Sequence, residues 1–368
     1  MSSEIARMLM RGPRGRRMLM QFALASEQAG PEREDTFLRA VFNAAHRLDV
    51  GAGTSRVLIA FGEGPPEIPT VMPDEVATRL AAVELLPVTH ELLVQCIAEA
   101  VDSARYWQEP DGEDVLLAAP DMQPALERVA QHIAASPETV WWLTPVDLTD
   151  QWAIVWDGTT ATAISADPLT VLREHRARFI ERERVAASDR PTDPAAKFTG
   201  DWWSTPPRSM VTSTRSITDL GPVGLAWVED GLGGERAQAK RVAATPTRTV
   251  FEIDSPDAWA ELCRRFPLEQ TASKRQDWYR TTGRAGRWVV PDWAQVAEHY
   301  AGIHLQVGAY LSAAGTEISV DDNTSSVIAG WDPDQTYWFS PDIAYAGETT
   351  AWHVTEHGSR WRADPTPY

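Results

Sequence analysis

Near its C-terminal end the chain reads AWHVTEHGSRW, and within it His353-Val-Thr-Glu356-His357 forms an H-x-x-E-H string. On a helix this spacing puts two imidazoles and a carboxylate on one face, the arrangement of an inverted zinc-hydrolase motif. The flanking residues argue for a strand instead. Thr350, Trp352, Val354 and Glu356 alternate with the residues between them, and His357-Gly358-Ser359 has the composition of a turn. On a strand, His353 and His357 would stand about 13 Å apart. Zinc ligands lie only about 2 Å from the metal, so one ion could not join the two rings. The segment is expected to be a hairpin.

Other chemistry is sparse. There is no Walker loop, no dinucleotide fingerprint after a strand and no G-x-S-x-G elbow. Gly221-Pro-Val-Gly224 and Gly231-Leu-Gly-Gly-Glu235 are the glycine-rich spots. The second could offer backbone N–H groups to a phosphate if a helix began there. Its alternative is a plain turn. Cys96 and Cys263, the only cysteines, sit in apolar helical patterns and read as buried free thiols, which suits a reducing cytosol and leaves no thiolate zinc site.

The elements that must position any site follow from periodicity. The chain has 368 residues, 43% of them hydrophobic, enough for two domains of ordinary size. The formal net charge of −18 excludes a general attraction to nucleic acid or an anionic membrane. No apolar run reaches the ~18 residues of a membrane span. The stretch RGPRGRRMLMQFALASEQA imitates a secretory signal but is short and interrupted by Gln21, so a first helix over 18–27 is expected. Arg7, Arg11, Arg14, Arg16 and Arg17 would then form a solvated basic face or an anion site.

Helices are expected over 36–48, from Pro73, from Thr89 to about Tyr106, over 122–134 and through the charged stretch beginning at Asp167. SRVLIAF, TVWWLT and QWAIVW read as strands, with Asp157-Gly158 as a hairpin turn to TTATAI. Residues 188–207 carry four prolines and read as an interdomain connector pinned by Trp202 and Trp203. The expected organisation is therefore a mostly helical N-terminal domain with a small sheet over 1–187, the connector, and a C-terminal α+β domain over 208–368. The second domain is rich in tryptophan and alternates strands such as SMVTST and VGLAWVE with short helices. All 16 tryptophans lie at or after Trp107.

Within 208–340 a set of residues carries a resemblance. Gly224, Leu225, Trp227 and Val228 form one strand-like group. Asp292, Trp293, Val296, Ala297, Tyr300, Gly302 and Ile303 form a helix-into-strand group. Gly330, Trp331, Asp332, Thr336 and Trp338 close the set. The pattern is similar to uncharacterised bacterial and phage proteins whose layout looks like a divergent ADP-ribosyltransferase fold. That resemblance implies an NAD-binding effector or modification enzyme. Transfer from NAD passes through an oxocarbenium-like sugar, so such a site needs a phosphate holder, a ring to flank the nicotinamide and a fixed anion. On the resemblance Arg215 would hold phosphate, Trp227 or Tyr300 would pack on the ring, His304 would hydrogen-bond, and Glu229 or Asp332 would supply the anion. Ala301 departs from the pattern, since the similar proteins carry Asp at that step. The residues also permit a second reading, a non-catalytic protein whose tryptophan-rich domain binds a small molecule or a protein partner. In it Arg215 is ion-paired, Trp227 is core and Asp332 starts a turn before Pro333.

The hairpin reading of HVTEH makes a direct prediction. Elemental analysis of the purified protein should find no stoichiometric zinc, and one zinc per chain lost on His353→Ala would overturn it.

Overall fold

The computed structural model describes residues 1–30, 36–49, 69–231, 233–355 and 360–364. The expected strand SRVLIAF lies outside these residues. The class is α+β as expected, with a helical N-terminal part and a sheet-rich C-terminal part.

The N-terminal layer comprises α1 (Ser2–Arg11), α2 (Pro13–Ala29), α3 (Thr36–Leu48), α4 (Pro73–Ala82), α5 (His90–Asp102), α6 (Gly112–Ala118) and α7 (Gln123–Ala134). Prolines open α2, α4 and α7 in their first turns, where a missing N–H costs nothing. Thr89 caps α5 by accepting from Leu92 N–H, and Asp111 caps α6 through two amides. Helix α2 is the axis of this layer. It buries Met18, Leu19, Phe22 and Ala23 against α5, α6, α7 and α12 (Val307–Ala313), the last drawn from the far end of the chain.

The arginines of α2 do not form the solvated face that composition suggested. Arg14 and Arg17 are each only 2% exposed. Arg14 donates to Asp114, Ser103 Oγ and the Ala100 carbonyl, and Arg17 pairs with Asp111, Glu113 and Asp114. Burying a guanidinium costs several kcal/mol unless carboxylates and carbonyls meet its donors. Here the capping turn of α6 meets them. The two arginines hold the Asp114 carboxyl below its ordinary range despite its burial.

Next come β1 (Trp152–Trp156) and the long α8 (Pro168–Asp189), capped by Asp167. TVWWLT is not a strand. Ser136, in extended backbone, caps a separate 3-10 helix over Pro137–Leu143 after the end of α7. Gly158 takes the left-handed turn expected of it, but β1 does not pair with the residues that follow. It pairs antiparallel with β5 (Arg236–Ala244), with Trp156 opposite Ala237 and Trp152 opposite Arg241.

The remaining strands are β2 (Thr212–Ser213), β3 (Ser216–Ile217), β4 (Gly221–Pro222), β6 (Val250–Ile253), β7 (Pro267–Glu269), β8 (Arg287–Pro291), β9 (Gly302–Leu305), β10 (Ile318–Ser319), β11 (Thr324–Ser326), β12 (Thr336–Trp338), β13 (Ile343–Val354) and β14 (Trp361–Ala363). Helices α9 (Pro256–Arg265), α10 (Thr271–Thr282) and α11 (Trp293–His299) run between them. They build sheets of order β1-β5-β13-β14, β2-β12-β9-β6 and β10-β11-β8-β7, with β3-β4 as a short ribbon. VGLAWVE is not a strand either, because β4 ends at Pro222 and residues Val223–Leu225 coil into a 3-10 turn. ERAQAKRV is strand β5, so no helix starts at the glycine cluster before it and the phosphate-cradle option falls.

Residues 188–207 are tied to α10. Lys274, fully buried, donates to the carbonyls of Asp201 and Trp203, and Trp278 Nε1 donates to the Trp202 carbonyl. Trp202 packs on Trp107 at 4.8 Å. Burial pushes the Lys274 ammonium down to about 8. Cys96 and Cys263 are buried free thiols. Among the described residues no helix is long and apolar enough to cross a membrane.

Removing Asp114 should strand two buried arginines at once. Asp114→Ala is expected to cost about 3–5 kcal/mol in urea unfolding. Arg173→Ala, which breaks an exposed pair with Glu298, should cost under about 1 kcal/mol. Equal effects would show that the buried network carries no special weight.

Candidate functional site

A cleft of about 1480 Å³ opens between α5 on one side and the β1–β5–β14 face on the other. Its floor is made by two turns. One runs from β4 through Glu229 and Asp230. The other contains Gly330, Asp332 and Gln335. Trp156 of β1 and Trp361 of β14 stand on the sheet side, with ring centroids 5.8 Å apart in an edge-to-face arrangement.

The two floor turns grip each other reciprocally. Glu229 N–H donates to Asp332 Oδ1 at 2.8 Å, and Gly330 N–H donates to Glu229 Oε2 at 2.7 Å. Gln335 Nε2 completes Asp332 by donating to Oδ2 at 2.8 Å. Gly330 needs its left-handed φ of 77° to turn its amide this way, and a Cβ there would meet Trp203 at 2.8 Å. Asp230 also takes a left-handed φ, 54°, directly after Glu229.

Neither floor carboxylate makes an ion pair among the described residues. Glu229 is 9% exposed. Burial pushes it up to about 8, and the neighbouring Asp332 charge adds to the rise. Hydrogen-bonding influences from Tyr310, Tyr106 and the Gly330 amide act in the opposite direction. The phenols of Tyr106 and Tyr310 stand beside it without a well-formed hydrogen bond to Oε1. Asp332 is partly open to the cleft and is raised to about 7, chiefly by the enclosing walls, against the bonds from Glu229 N–H and Gln335 and the charge of Arg208. A carboxyl group near neutrality can hold or give up a proton at ordinary pH.

The other sequence-derived candidates lie elsewhere. Two residues past Asp332 the same turn carries Asp334, which is buried and faces away from the cleft floor into an ion network. Arg215 donates to Asp334 through Nε at 2.6 Å and through its own backbone N–H at 2.8 Å, and its remaining donors reach Thr144 Oγ1 and the Pro145 carbonyl. Its guanidinium lies 4.9 Å above the Trp141 ring. With every arm engaged, Arg215 has no free fork for phosphate. His304 bridges Glu252 (Nδ1, 2.7 Å) and Asp334 (Nε2, 3.3 Å); burial works to lower it, but the bonds and charges of the two carboxylates raise it above its ordinary range.

Trp227 is fully buried. It stacks on Trp141 at 5.9 Å and donates Nε1 to the Val94 carbonyl, so no ring face is open to a ligand. Tyr300 lies apart, edge-on to Phe251 at 5.1 Å, with its hydroxyl accepting from Arg265. The structure thus brings Glu229 and Asp332 into one cleft, gathers Arg215 and His304 around Asp334, and leaves Tyr300 outside both groups. Asp292 of the helix-into-strand pattern caps α11 and pairs with Arg176 at 2.6 Å.

His353 lies on β13, as the hairpin reading requires, with β14 antiparallel to it and Asp364 at 2.6 Å from Nδ1. Glu356 and His357 fall outside the described residues. Among the described residues no group of three or more His, Cys, Asp or Glu side chains could hold a metal ion.

Sequence reading missed Trp156, Trp361 and Arg208 as lining of the cleft, and the buried Tyr106 and Tyr310 behind Glu229. Their positions span most of the chain, and no local spacing joins them. In comparison with known proteins, no family model matches the chain, and neither a curated protein nor a solved structure matches it.

The raised carboxyls predict a pH dependence. Glu229 binds its proton more tightly folded, at about 8, than unfolded, near the ordinary 4.5. The folded state therefore holds the extra proton between those values, and stability falls as pH rises through them. Glu229→Gln keeps an acceptor for Gly330 and removes the titration. Its melting temperature should exceed the wild type's at pH 8.5, with the difference shrinking toward pH 5. A difference independent of pH would contradict the assignment.

Proposed function

We propose that this is a small-molecule-binding protein whose ligand enters the cleft above Asp332 and Glu229. One observation carries the reading. Two adjacent carboxyl groups without ion-pair partners form the floor of a cavity larger than the roughly 300–1,000 Å³ of ordinary ligand pockets. Buried acids are normally paired or hydrogen-bonded to saturation, because leaving them otherwise costs stability. A site that keeps them waiting for a ligand accounts for that cost. The rest of the second half supports the same reading, since its tryptophans and its Arg215–Asp334–His304 network give the floor turns a rigid backing.

The reading as an NAD-dependent ADP-ribosyltransferase keeps one observation in its favour. The two acids expected to stabilise the sugar cation, Glu229 and Asp332, share the cleft. The binding roles are less well served, with Arg215 internally saturated, Trp227 closed off and Tyr300 distant.

Calorimetric titration with NAD separates the two. Simple binding of another ligand class predicts no saturable heat at millimolar NAD. Saturable heat abolished by Glu229→Gln would favour the transferase. For the cleft itself, a thermal-shift panel of amines, sugars, nucleotides and carboxylates should yield a class that raises the melting temperature. At a hundredfold excess over Kd a ligand stabilises by about 2.7 kcal/mol, a shift of several degrees. Asp332→Asn should erase the shift. A panel in which no class shifts the protein would count against the cleft as a binding site.

A further inference from the structure

The Glu229 carboxyl has two sides. Oε2 faces the floor turn and takes the Gly330 amide. Oε1 faces inward, toward the phenols of Tyr106 and Tyr310, and all three oxygens are buried without a well-formed hydrogen bond. Tyr106 follows the end of α5, and Tyr310 lies in α12. Gly315, at a left-handed φ of 72°, lets the Tyr106 ring lie against the chain just past α12, where a Cβ would collide with it. One residue earlier Ala314 bridges to Ile328, two residues before Gly330. The phenols and the floor turn thus share one backbone support, with the carboxyl between them. The charged and titratable groups around it are the two phenols, Asp332 of the facing turn, Tyr337 of β12 and Arg14 of α2, whose Nε–H is also buried and unpaired. Burial first, and the Glu229 charge next, hold Tyr106 and Tyr310 far above their ordinary range. Both therefore stay neutral at any working pH, and each hydroxyl can either donate or accept. A buried hydroxyl left unpaired costs stability. These three oxygens can satisfy one another, but in two different ways that depend on a single proton.

We propose that Glu229, Tyr106 and Tyr310 form a proton-operated switch between the cleft floor and the helical layer. With the carboxyl protonated, its O–H donates to one phenol and the other phenol is left loose. With the proton lost to solvent, both phenols turn and donate to Oε1. The Gly330 amide and the two phenols then make charge-assisted bonds, roughly twice as strong as neutral ones. The end of α5, whose residues form one wall of the cleft, is held more tightly to the floor in that state. Burying the charge still disfavours the ionised form, which is why the carboxyl sits at about 8. The device belongs to the fold and does not depend on what the cleft binds.

The test is a pH titration of the full chain by NMR, with 13C at the tyrosine Cζ and the glutamate Cδ. The Cζ shift reports whether a phenol donates or accepts. With seven tyrosines in the chain, Tyr106→Phe and Tyr310→Phe assign the two signals. The expected result is that both phenol signals move together with one glutamate carboxyl, at a common midpoint near 8. Glu229→Gln should abolish all three movements. Asp332→Asn should keep them and lower the midpoint, because the Asp332 charge helps to raise Glu229. Each Tyr→Phe variant removes a donor to the carboxylate and should raise the midpoint by about one pH unit. Circular dichroism of each variant checks that the fold is intact, and the wild-type titration stands without any variant. Phenol signals that stay still while Glu229 titrates overturn the switch, as does a Glu229 midpoint near 4.5 or one that neither Tyr→Phe variant changes. Phenol movements that survive Glu229→Gln but vanish with Asp332→Asn also overturn it.

Discussion

Two turns more than a hundred residues apart in sequence are held together by an exchange of backbone hydrogen bonds through carboxylates. Asp332 takes the amide of Glu229, and Glu229 takes the amide of Gly330. The exchange works like a capping box between two loops rather than within one helix. It fixes both acids side by side at the base of a cleft and forbids either from swinging out to water. Their raised affinity for protons follows from that constraint. A carboxyl that could reach solvent or an arginine would relax to its ordinary range. The chain has arginines within reach of the region, but the folded network commits Arg215 to Asp334, and Arg14 to Asp114 and the end of α5.

That division of charges explains the rest of the architecture around the cleft. Each buried cation sits on its own dedicated acceptors. Arg14 and Arg17 have the capping turn of α6, Lys274 has the carbonyls of Asp201 and Trp203, and His304 has Glu252 and Asp334. Such clusters add little net stability over apolar packing, yet losing one partner is costly, so they specify which segments meet. Here they join α2 to α5 and α6, residues 201–203 to α10, and the start of β3 to the turn after Trp331. The cleft is what remains between segments positioned in this way.

Much of the scaffold was legible in the sequence because its signals are local. Asp167, Ser255 and Asp292 mark helix starts by capping. The alternation around His353 reads as a strand, and the residues lie on β13, paired with both β5 and β14. The failures have physical causes. Helix α10 offers no apolar stripe, since its buried face includes Ser273, Lys274, Gln276 and Asp277, each of which bonds to a residue distant in sequence. TVWWLT alternates like a strand, but its capping serine and Pro137 bind it into a helical turn. In VGLAWVE, Pro222 ends the extended backbone before the apolar run begins. Arg14 and Arg17 looked solvent-facing because their carboxylates lie some 94 to 100 residues away. Glu229 and Asp332 were named as acids from a family resemblance. Their adjacency, across 103 residues, has no local signature.

The account stands or falls on protons at the cleft floor. Infrared difference spectroscopy of the unliganded protein at pH 6, comparing wild type with Asp332→Asn and Glu229→Gln, reads protonated carboxyl groups directly. The structure predicts a protonated-carboxyl band in the wild type that loses intensity in each variant and fades as pH rises toward 9. A wild-type spectrum with no such band at pH 6 would mean that both acids are ionised, and would contradict the central claim.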